Sequence, residues 1–405
     1  MITQFKSTTH FQPLGKPVGN LTIGRGVVDG KPSFVAIIEN RLTSGAIGVA
    51  ECDKLASLFK VVLAQRAPLM LFIDSAGARV SEGLPALGAF RRMFNAALKC
   101  RSENIPLACV LGTHCFGGAS MLAALCGTRY FNSHSKLAMS GPGILATAAG
   151  ASVLDDSFRA IAEANIGQSG RIKLSRRHLP FEQVVSFVAP FAEANNDNNH
   201  SALQARLDAS KPKINSEIQT IIRNDLNALY PSGYTVTEAN GVLSGNAVGE
   251  GAVRIAIIGS VDRQLMTVSR ANAMCVLIQK IVVQPTLPAA LHVLIDCESH
   301  SSMLEDEKLM LSEYLTTLSL TLWELAKRGV VIETTVLGKL GGGIYVALAA
   351  ASASVNLLYG AQIQLLPGKA IAAILGEADS ISPAYVEYSN AGVAERELKL
   401  GLIER

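Results

Sequence analysis

The chain has 405 residues, of which 49% are hydrophobic and 17% charged, with 35 glycines and a formal net charge of +3. That length exceeds one ordinary domain and predicts two, and the near-neutral balance gives nucleic acid no claim as the main partner. The seven cysteines (52, 100, 109, 115, 126, 275 and 297) contain no Cys-x-x-Cys pair, so no zinc ribbon or redox motif is available and reduced, mostly buried thiols are expected.

In chain order, Met1 to Pro17 holds polar residues and two prolines but no apolar core, so no secretory signal is read there and a cytoplasmic protein is expected. A β-rich segment follows, Gly24 to Gly30 and then Phe34 to Ile38. Next come a helix over Asp53 to Gln65, a short apolar strand Leu69 to Asp74, and a longer helix over Leu84 to Cys100. The strand Pro106 to Leu111 runs into Cys115-Phe116-Gly117-Gly118, and a small-residue helix occupies Ala119 to Leu125. Leu107 to Cys126 and Val336 to Tyr359 are apolar, but each carries polar residues and clustered glycines. Strand, turn and buried helix explain them better than a bilayer does, so no membrane partner is expected.

The polar run Asn195 to His200 reads as a loop or linker, followed by a helix over Ile214 to Tyr230. The boundary is placed near residue 210, giving domains 1–210 and 211–405. The second half then repeats the first. Val242 to Ser260 is the β-rich segment, Arg270 to Val282 a helix, Leu291 to Asp296 the apolar strand, and Glu305 to Arg328 the longer helix. The strand Val330 to Leu337 leads into Leu340-Gly341-Gly342-Gly343, and Ile344 to Ala350 is the small-residue helix. The spacing is the same, since 225 positions separate Gly117 from Gly342 and Pro142 from Pro367. Strands alternating with helices predict an α/β fold around mainly parallel sheets.

A glycine pair between a strand and a helix lets the backbone approach a ligand and leaves N–H groups facing outward where the helix dipole favours negative charge. That is the composition of an oxyanion hole, and a thioester enolate is the kind of anion it would hold. A tight turn with no such role is the plain alternative. The loop Asp74-Ser75-Ala76-Gly77-Ala78-Arg79 also leaves a strand end, where ligands sit in open α/β sheets.

Asp74 to Gly83 resembles the Asp-Ser/Thr-Gly-Gly-x-Arg-x-x-Glu loop of acyl-CoA carboxylase carboxyltransferases and malonate decarboxylase β subunits. Cys115 to Gly118, Leu122 to Cys126, and Leu137 to Pro142 are similar to the β subunit of biotin-independent malonate decarboxylase. Leu229 to Gly233, Gly259, Leu294 to Asp296, Gly338-Lys339 and Gly341 to Gly343 resemble its γ subunit. The segment after Gly141-Pro142 lacks the acids usual in that family, and Asp296 to His300 lacks its Thr-Pro-Gly.

The resemblance implies two tandem crotonase-like ββα-spiral (carboxyltransferase) domains, fused as β and γ halves. The implied activity is decarboxylation of a malonyl thioester, without biotin or metal. No tightly bound cofactor is implied; the substrate would ride on a CoA-like or phosphopantetheine-type arm. Partners would be an acyl carrier protein or CoA thioester and further decarboxylase subunits, in a homo-oligomer. By this analogy Gly117 and Gly118, or the N–H groups beside them, hold the enolate, and Gly342 and Gly343 take the departing carboxylate or a second oxyanion. The rivals are the carboxyltransferase of a biotin-dependent carboxylase and a non-catalytic carrier-binding scaffold.

Among side chains, His114 suits protonation of the product enolate, as does His300, although either can be structural. Arg79 and Glu82, three apart at a helix start, pair with each other in one reading and position a substrate carboxylate or phosphate in another. Ser75, Ser140, Gly141, Pro142 and Phe116 complete the expected substrate-binding set, with Ser75 equally an ordinary helix cap. The basic cluster Arg171 to His178 reads as a solvated face, or as a contact for CoA phosphates or an acidic carrier protein.

Overall fold

The structure is a computed structural model that describes residues 1–150, 155–181, 199–210, 219–220, 224–368, 370–371 and 390–391. It is mixed α/β, with two sheets. The chain divides into two compact units. The first takes the described residues of 1–198, Ser302–Thr316 and 370–371; the second takes the described residues of 199–301, 317–368 and 390–391.

The strands of the first sheet are β1 (Gln12–Pro13), β2 (Leu21–Val28), β3 (Lys31–Ile38), β4 (Leu69–Ser75), β5 (Leu107–Phe116), β6 (Thr128–Phe131), β7 (Lys136–Ala138) and β8 (His178–Pro180). Their order is β1-β2-β3-β4-β5-β6-β8, with β7 also on β5. The second sheet holds β9 (Gln219–Thr220), β10 (Tyr234–Ala239), β11 (Val242–Val248), β12 (Arg254–Ser260), β13 (Ala290–Cys297), β14 (Val331–Gly341), β15 (Ser354–Leu357), β16 (Gln362–Gln364) and β17 (Asn390–Ala391). Here β11, β12, β13 and β14 lie side by side, and β14 carries both β15 and β16.

The pairing is alike in both sheets. An antiparallel hairpin, β2–β3 or β11–β12, leads into parallel pairs β3–β4–β5 or β12–β13–β14. The continuous apolar run Leu69 to Ile73 suits a central parallel strand covered on both faces, and all five residues are buried. In the first unit Val35, Ile37, Met70, Phe72, Ala108 and Val110 share a cluster with Phe5. Phe5 belongs to α1 (Ile2–Thr8), a helix the polar N-terminal sequence did not announce. In the second unit Leu243, Ile257 and Leu294 pack with Leu226 and Tyr230.

Helices α2 (Val49–Gln65), α3 (Gly83–Ser102) and α4 (Gly118–Leu125) follow the expected order. Cys52, Leu55, Ala56, Phe59 and Val62 of α2 are buried at helical spacing. Next come α5 (Pro142–Ala148), α6 (Asp156–Ile166), α7 (Gln168–Ile172), α8 (Asn199–Ser210), α9 (Asn224–Leu229) and α10 (Val268–Val282). Of the expected linker, 195–198 lie outside the described residues, and His200 stands in α8. The helix expected over 214–230 is reduced, within the described residues, to β9 and α9, because Gln219 and Thr220 pair with β10 instead.

The long helix expected over 305–328 is two helices, α11 (Leu304–Lys308) and α12 (Leu311–Lys327), and the set closes with α13 (Gly342–Ala349). The break falls at Met310, buried and held at φ 65°. Neither glycine nor proline marks it in the sequence. All seven cysteines are free and buried. Burial pushes the Cys100, Cys275 and Cys297 thiols up to about 12. Among the described residues, no helix is long and apolar enough to cross a membrane.

Candidate active site

Three loops of the first unit converge at the carboxyl end of its parallel strands. Gly77, at φ 101°, lies against the turn before α4: a Cβ there would meet the Phe116 carbonyl oxygen at 2.8 Å and the Gly118 nitrogen at 3.5 Å. The Phe116 ring in turn covers Gly141, whose Cβ would meet it at 3.3 Å. The expected residues 75–79, 116–118 and 140–142 are therefore neighbours.

Gly117 has φ 55° and ψ −135°, a conformation open in practice to glycine alone. Its N–H donates to the Met139 carbonyl at 3.1 Å, so Gly117 is not itself the free donor the sequence suggested. Its carbonyl accepts from the Ser120 N–H at 3.0 Å and from Ser120 Oγ at 2.7 Å. In a trans peptide, C=O and the following N–H point in opposite directions. Fixing the Gly117 carbonyl on Ser120 therefore turns the Gly118 N–H outward, away from the helix it begins. Gly118 is half-buried, and its N–H has no hydrogen-bond partner among the described residues.

The neighbouring loop is built by a parallel bridge. Ile47 N–H donates to the Gly77 carbonyl at 2.8 Å and Arg79 N–H to the Ile47 carbonyl at 2.9 Å. Ala78 N–H, between these bonds, is also without a partner among the described residues. Unpartnered N–H groups on two touching loops, one at a helix N-terminus, form an arrangement suited to an oxyanion.

The side chains nearby are mostly committed to holding these loops. Ser75 is fully buried, and its Oγ accepts the Gly77 N–H at 3.1 Å. Arg79 pairs with Glu82 and Glu51 and donates to the Ala46 carbonyl at 3.0 Å, so the pairing reading of Arg79 and Glu82 describes it and adds Glu51. Burial acts to raise the Glu51 pKa, but hydrogen bonds from Arg79 and from backbone N–H groups outweigh it and hold the carboxyl below its usual range. His114 keeps a half-exposed ring with Nδ1 3.9 Å from Asp74 Oδ1. Its backbone N–H donates to that same oxygen at 3.0 Å, and Nδ1 makes no hydrogen bond.

Behind the third loop sits a group the sequence reasoning missed. Ser140 N–H donates to Glu307 Oε1 at 2.9 Å, and Ser140 Oγ lies 3.2 Å from Ser302 Oγ. Glu307 is fully buried beside Arg171, with Oε2 3.5 Å from Nη2. Arg171 also donates to the Leu137 carbonyl at 2.8 Å and the Glu307 carbonyl at 2.7 Å. The expected basic face is thus partly interior: Arg171 and His178 are buried, while Lys173 and Arg176 are exposed. Acidic residues in the first turn of a short helix, more than a hundred positions away, gave no signal of this partnership.

Burial pushes the Glu307 carboxyl up to about 7, against the opposing pull of Arg171 and of the Ser140 and Met139 N–H groups. A folded-state pKa above the unfolded one means the native state binds this proton more tightly. Its stabilising contribution is present below about pH 4.5 and is lost as pH rises through about 7, worth roughly 3 kcal/mol. Urea denaturation between pH 5 and 8 is expected to show that decline in the native chain and a flatter profile in Glu307→Gln. Equal slopes in both would remove Glu307 as the cause.

The second unit builds the same junction differently. Lys339 N–H donates to Asp296 Oδ1 at 2.8 Å, as His114 does to Asp74. Gly342, at φ 60°, donates to the Leu365 carbonyl at 3.0 Å. Gly343 N–H, however, donates to His300 Nδ1 at 3.2 Å. Gly342 and Gly343 are buried and offer no free N–H for the carboxylate or second oxyanion expected of them. His300, expected as an alternative proton donor, is buried on that glycine pair.

A mixed α/β protein with outward-facing backbone donors at a strand–helix junction belongs to the class suited to oxyanion chemistry. Residues 4–232, more than half of the chain, match the family described as the carboxyl transferase domain, and the chain belongs to that family. It is similar to the methylmalonyl-CoA carboxyltransferase 12S subunit of Propionibacterium freudenreichii subsp. shermanii, 27% identical over 210 residues, covering 52% of this chain and 39% of the relative. The acetyl-coenzyme A carboxylase carboxyl transferase subunit beta of Mesorhizobium japonicum is 28% identical over 134 residues, covering 33% of this chain and 41% of the relative. The chain thus spans about two fifths of the length of these relatives. A solved Pseudomonas malonate decarboxylase hetero-tetramer in complex with malonate matches with 17% identity and a TM-score of 0.42, over 52% of this chain and 91% of that one.

Proposed function

We propose that the chain decarboxylates a malonyl thioester to the acetyl thioester without biotin, on the loops of its first unit. The observation carrying this reading is the outward, unpartnered Gly118 N–H at the start of α4. The bond between the α-carbon and the carboxylate breaks, carbon dioxide leaves, and the electron pair moves onto the thioester carbonyl oxygen. Gly118 N–H, with Ala78 N–H as second donor, holds that oxyanion. A proton then adds to the α-carbon; His114, whose ring is half-exposed, is the proposed donor.

The acyl group is carried on a CoA-like or phosphopantetheine-type arm, as a CoA thioester or on an acyl carrier protein. The two sheets, with their shared pairing order, support two tandem crotonase-like halves, β-subunit-like and γ-subunit-like. We place the protein in the cytoplasm as a homo-oligomer working with further decarboxylase subunits.

The second reading, carboxyl transfer from a biotin carrier to an acyl-CoA, is favoured by the names of the relatives, which are carboxyltransferases. Full-length protein incubated with malonyl-CoA and no biotin is expected to release carbon dioxide and acetyl-CoA in equal amounts. His114→Ala should lower that rate about 100-fold. Turnover only with a carboxylated biotin carrier would move the conclusion to the second reading. Carrier binding with no turnover of either kind would leave a scaffold.

A further inference from the structure

Equivalent backbone bonds align the two junctions residue by residue. Met266 N–H donates to the Ser299 carbonyl at 3.0 Å, and Ser301 N–H to the Met266 carbonyl at 2.9 Å. These repeat the bonds joining Ile47 to Gly77 and Arg79, so Ala78 and His300 occupy the same place, each in a parallel bridge. Asp74 and Asp296 correspond through their bonds to His114 N–H and Lys339 N–H. Ser75 facing Cys115 and Cys297 facing Leu340 fix the strand register at the same bulge. Gly118 and Gly343 are therefore the same donor in two copies. In the first unit the facing residue is an alanine and the donor is open; in the second it is a histidine and the donor is filled.

We propose that His300 is a specificity-determining residue: its imidazole occupies the second unit's anion position on Gly343 N–H, so that of the two equivalent junctions the one at Gly118 is open. The geometry carries this. His300 is 7% exposed, Nδ1 lies 3.2 Å from the Gly343 nitrogen, and Ser299 Oγ is 3.3 Å from the same Nδ1. A Cβ on Gly342 would meet that Nδ1 at 2.9 Å, so the ring fills the space beside both glycines. Burial pulls the imidazole pKa down to about 4, so at neutral pH the ring is uncharged and Nδ1 is free to accept.

The consequence is chemical and rests on the oxyanion role proposed above for Gly118. Decarboxylation of a malonyl thioester passes through one oxyanion, on the thioester carbonyl. Transfer of a carboxyl group from an N-carboxylated urea passes through two. The C–N bond breaks and leaves negative charge on the urea oxygen; the acyl thioester's α-proton passes to the urea nitrogen, and the resulting enolate attacks the released carboxyl carbon. A chain whose second position is filled by its own side chain supports the first reaction and disfavours the second.

The full-length chain, labelled with [15N]glycine and titrated with sodium acetate at constant ionic strength, reads each site separately. Acetate is expected to shift the Gly118 amide and leave Gly343 unmoved in the native protein. In His300→Ala, which copies Ala78, both should shift saturably; His300→Ser gives the same readout if the alanine variant does not fold. His300→Gln, which keeps an acceptor on a side chain of similar length, should leave Gly343 unmoved. A Gly343 shift in the native protein, or none in a folded alanine or serine variant, would overturn the proposal. An unresponsive Gly118 beside a responsive Gly343 in the variant would instead count against the functional reading, leaving the closure intact.

Discussion

Gly117→Ala is expected to lower malonyl-thioester turnover by about 10²- to 10³-fold, the usual cost of losing an oriented oxyanion donor. The cause is backbone conformation and not crowding. A Cβ on Gly117 has room, with its nearest neighbours the Gly77 Cα at 3.7 Å and the Ala76 carbonyl oxygen at 3.8 Å. But φ 55° with ψ −135° is strained for alanine by about 1–3 kcal/mol. Relief of that strain rotates the peptide whose carbonyl Ser120 holds and whose N–H is that of Gly118. Gly143→Ala is the matched control: it sits in α5 with open space around it, and turnover should stay within about twofold. Steady-state carbon dioxide release, with thermal melts to confirm folding, tests both. Near-native turnover in a folded Gly117→Ala would dismiss the Gly118 donor.

Arg129→Met should destabilise the first unit by about 3–5 kcal/mol, because it strands a buried carboxylate. Arg129 and Glu313 are each 1% exposed and paired side chain to side chain. His178 lies beside them with Nε2 3.8 Å from Glu313 Oε1. Burial, together with the charge of Arg129, pulls the His178 pKa down to about 3, so its ring is neutral and Nδ1–H donates to the Arg171 carbonyl. The double variant Arg129→Met, Glu313→Leu removes both charges and should recover most of the loss. Chemical denaturation of the three proteins checks this; a double variant no more stable than the single one would contradict the ion-pair explanation.

The sequence disclosed the strands and helices that carry a continuous local pattern. Apolar runs such as Leu69 to Ile73, and the glycine pairs that follow β5 and β14, were enough to place the junctions where chemistry is expected. Three things were hidden, each for a physical reason. Which N–H is free depends on where neighbouring carbonyls lie, so Gly117 and Gly118 looked alike until the Met139 carbonyl was seen to take the Gly117 N–H and Ser120 to hold the Gly117 carbonyl. The break at Met310 is imposed by tertiary packing on a residue with no breaker chemistry. The pairing of Arg129 with Glu313 and of Arg171 with Glu307 spans separations that no local pattern records. The glycine repeat itself was legible, but it overstated the likeness of the halves, because the difference lies in one facing side chain, His300 in place of Ala78.

The break at Met310 belongs to a segment, Ser302–Thr316, that completes a unit begun about three hundred residues earlier. Arg129 meets its carboxylate 184 positions downstream, and Arg171 meets the Glu307 carbonyl 136 positions downstream. During synthesis at about 5–20 residues per second, the interval between Arg129 and Glu313 is roughly 10–40 s. Until Glu307 and Glu313 are made, Arg129 and Arg171 lack the acids that they pair with in the finished unit. A chain ending at residue 210 would lack both acids. Completing the first unit therefore requires translation through residue 316, well into the second half of the chain.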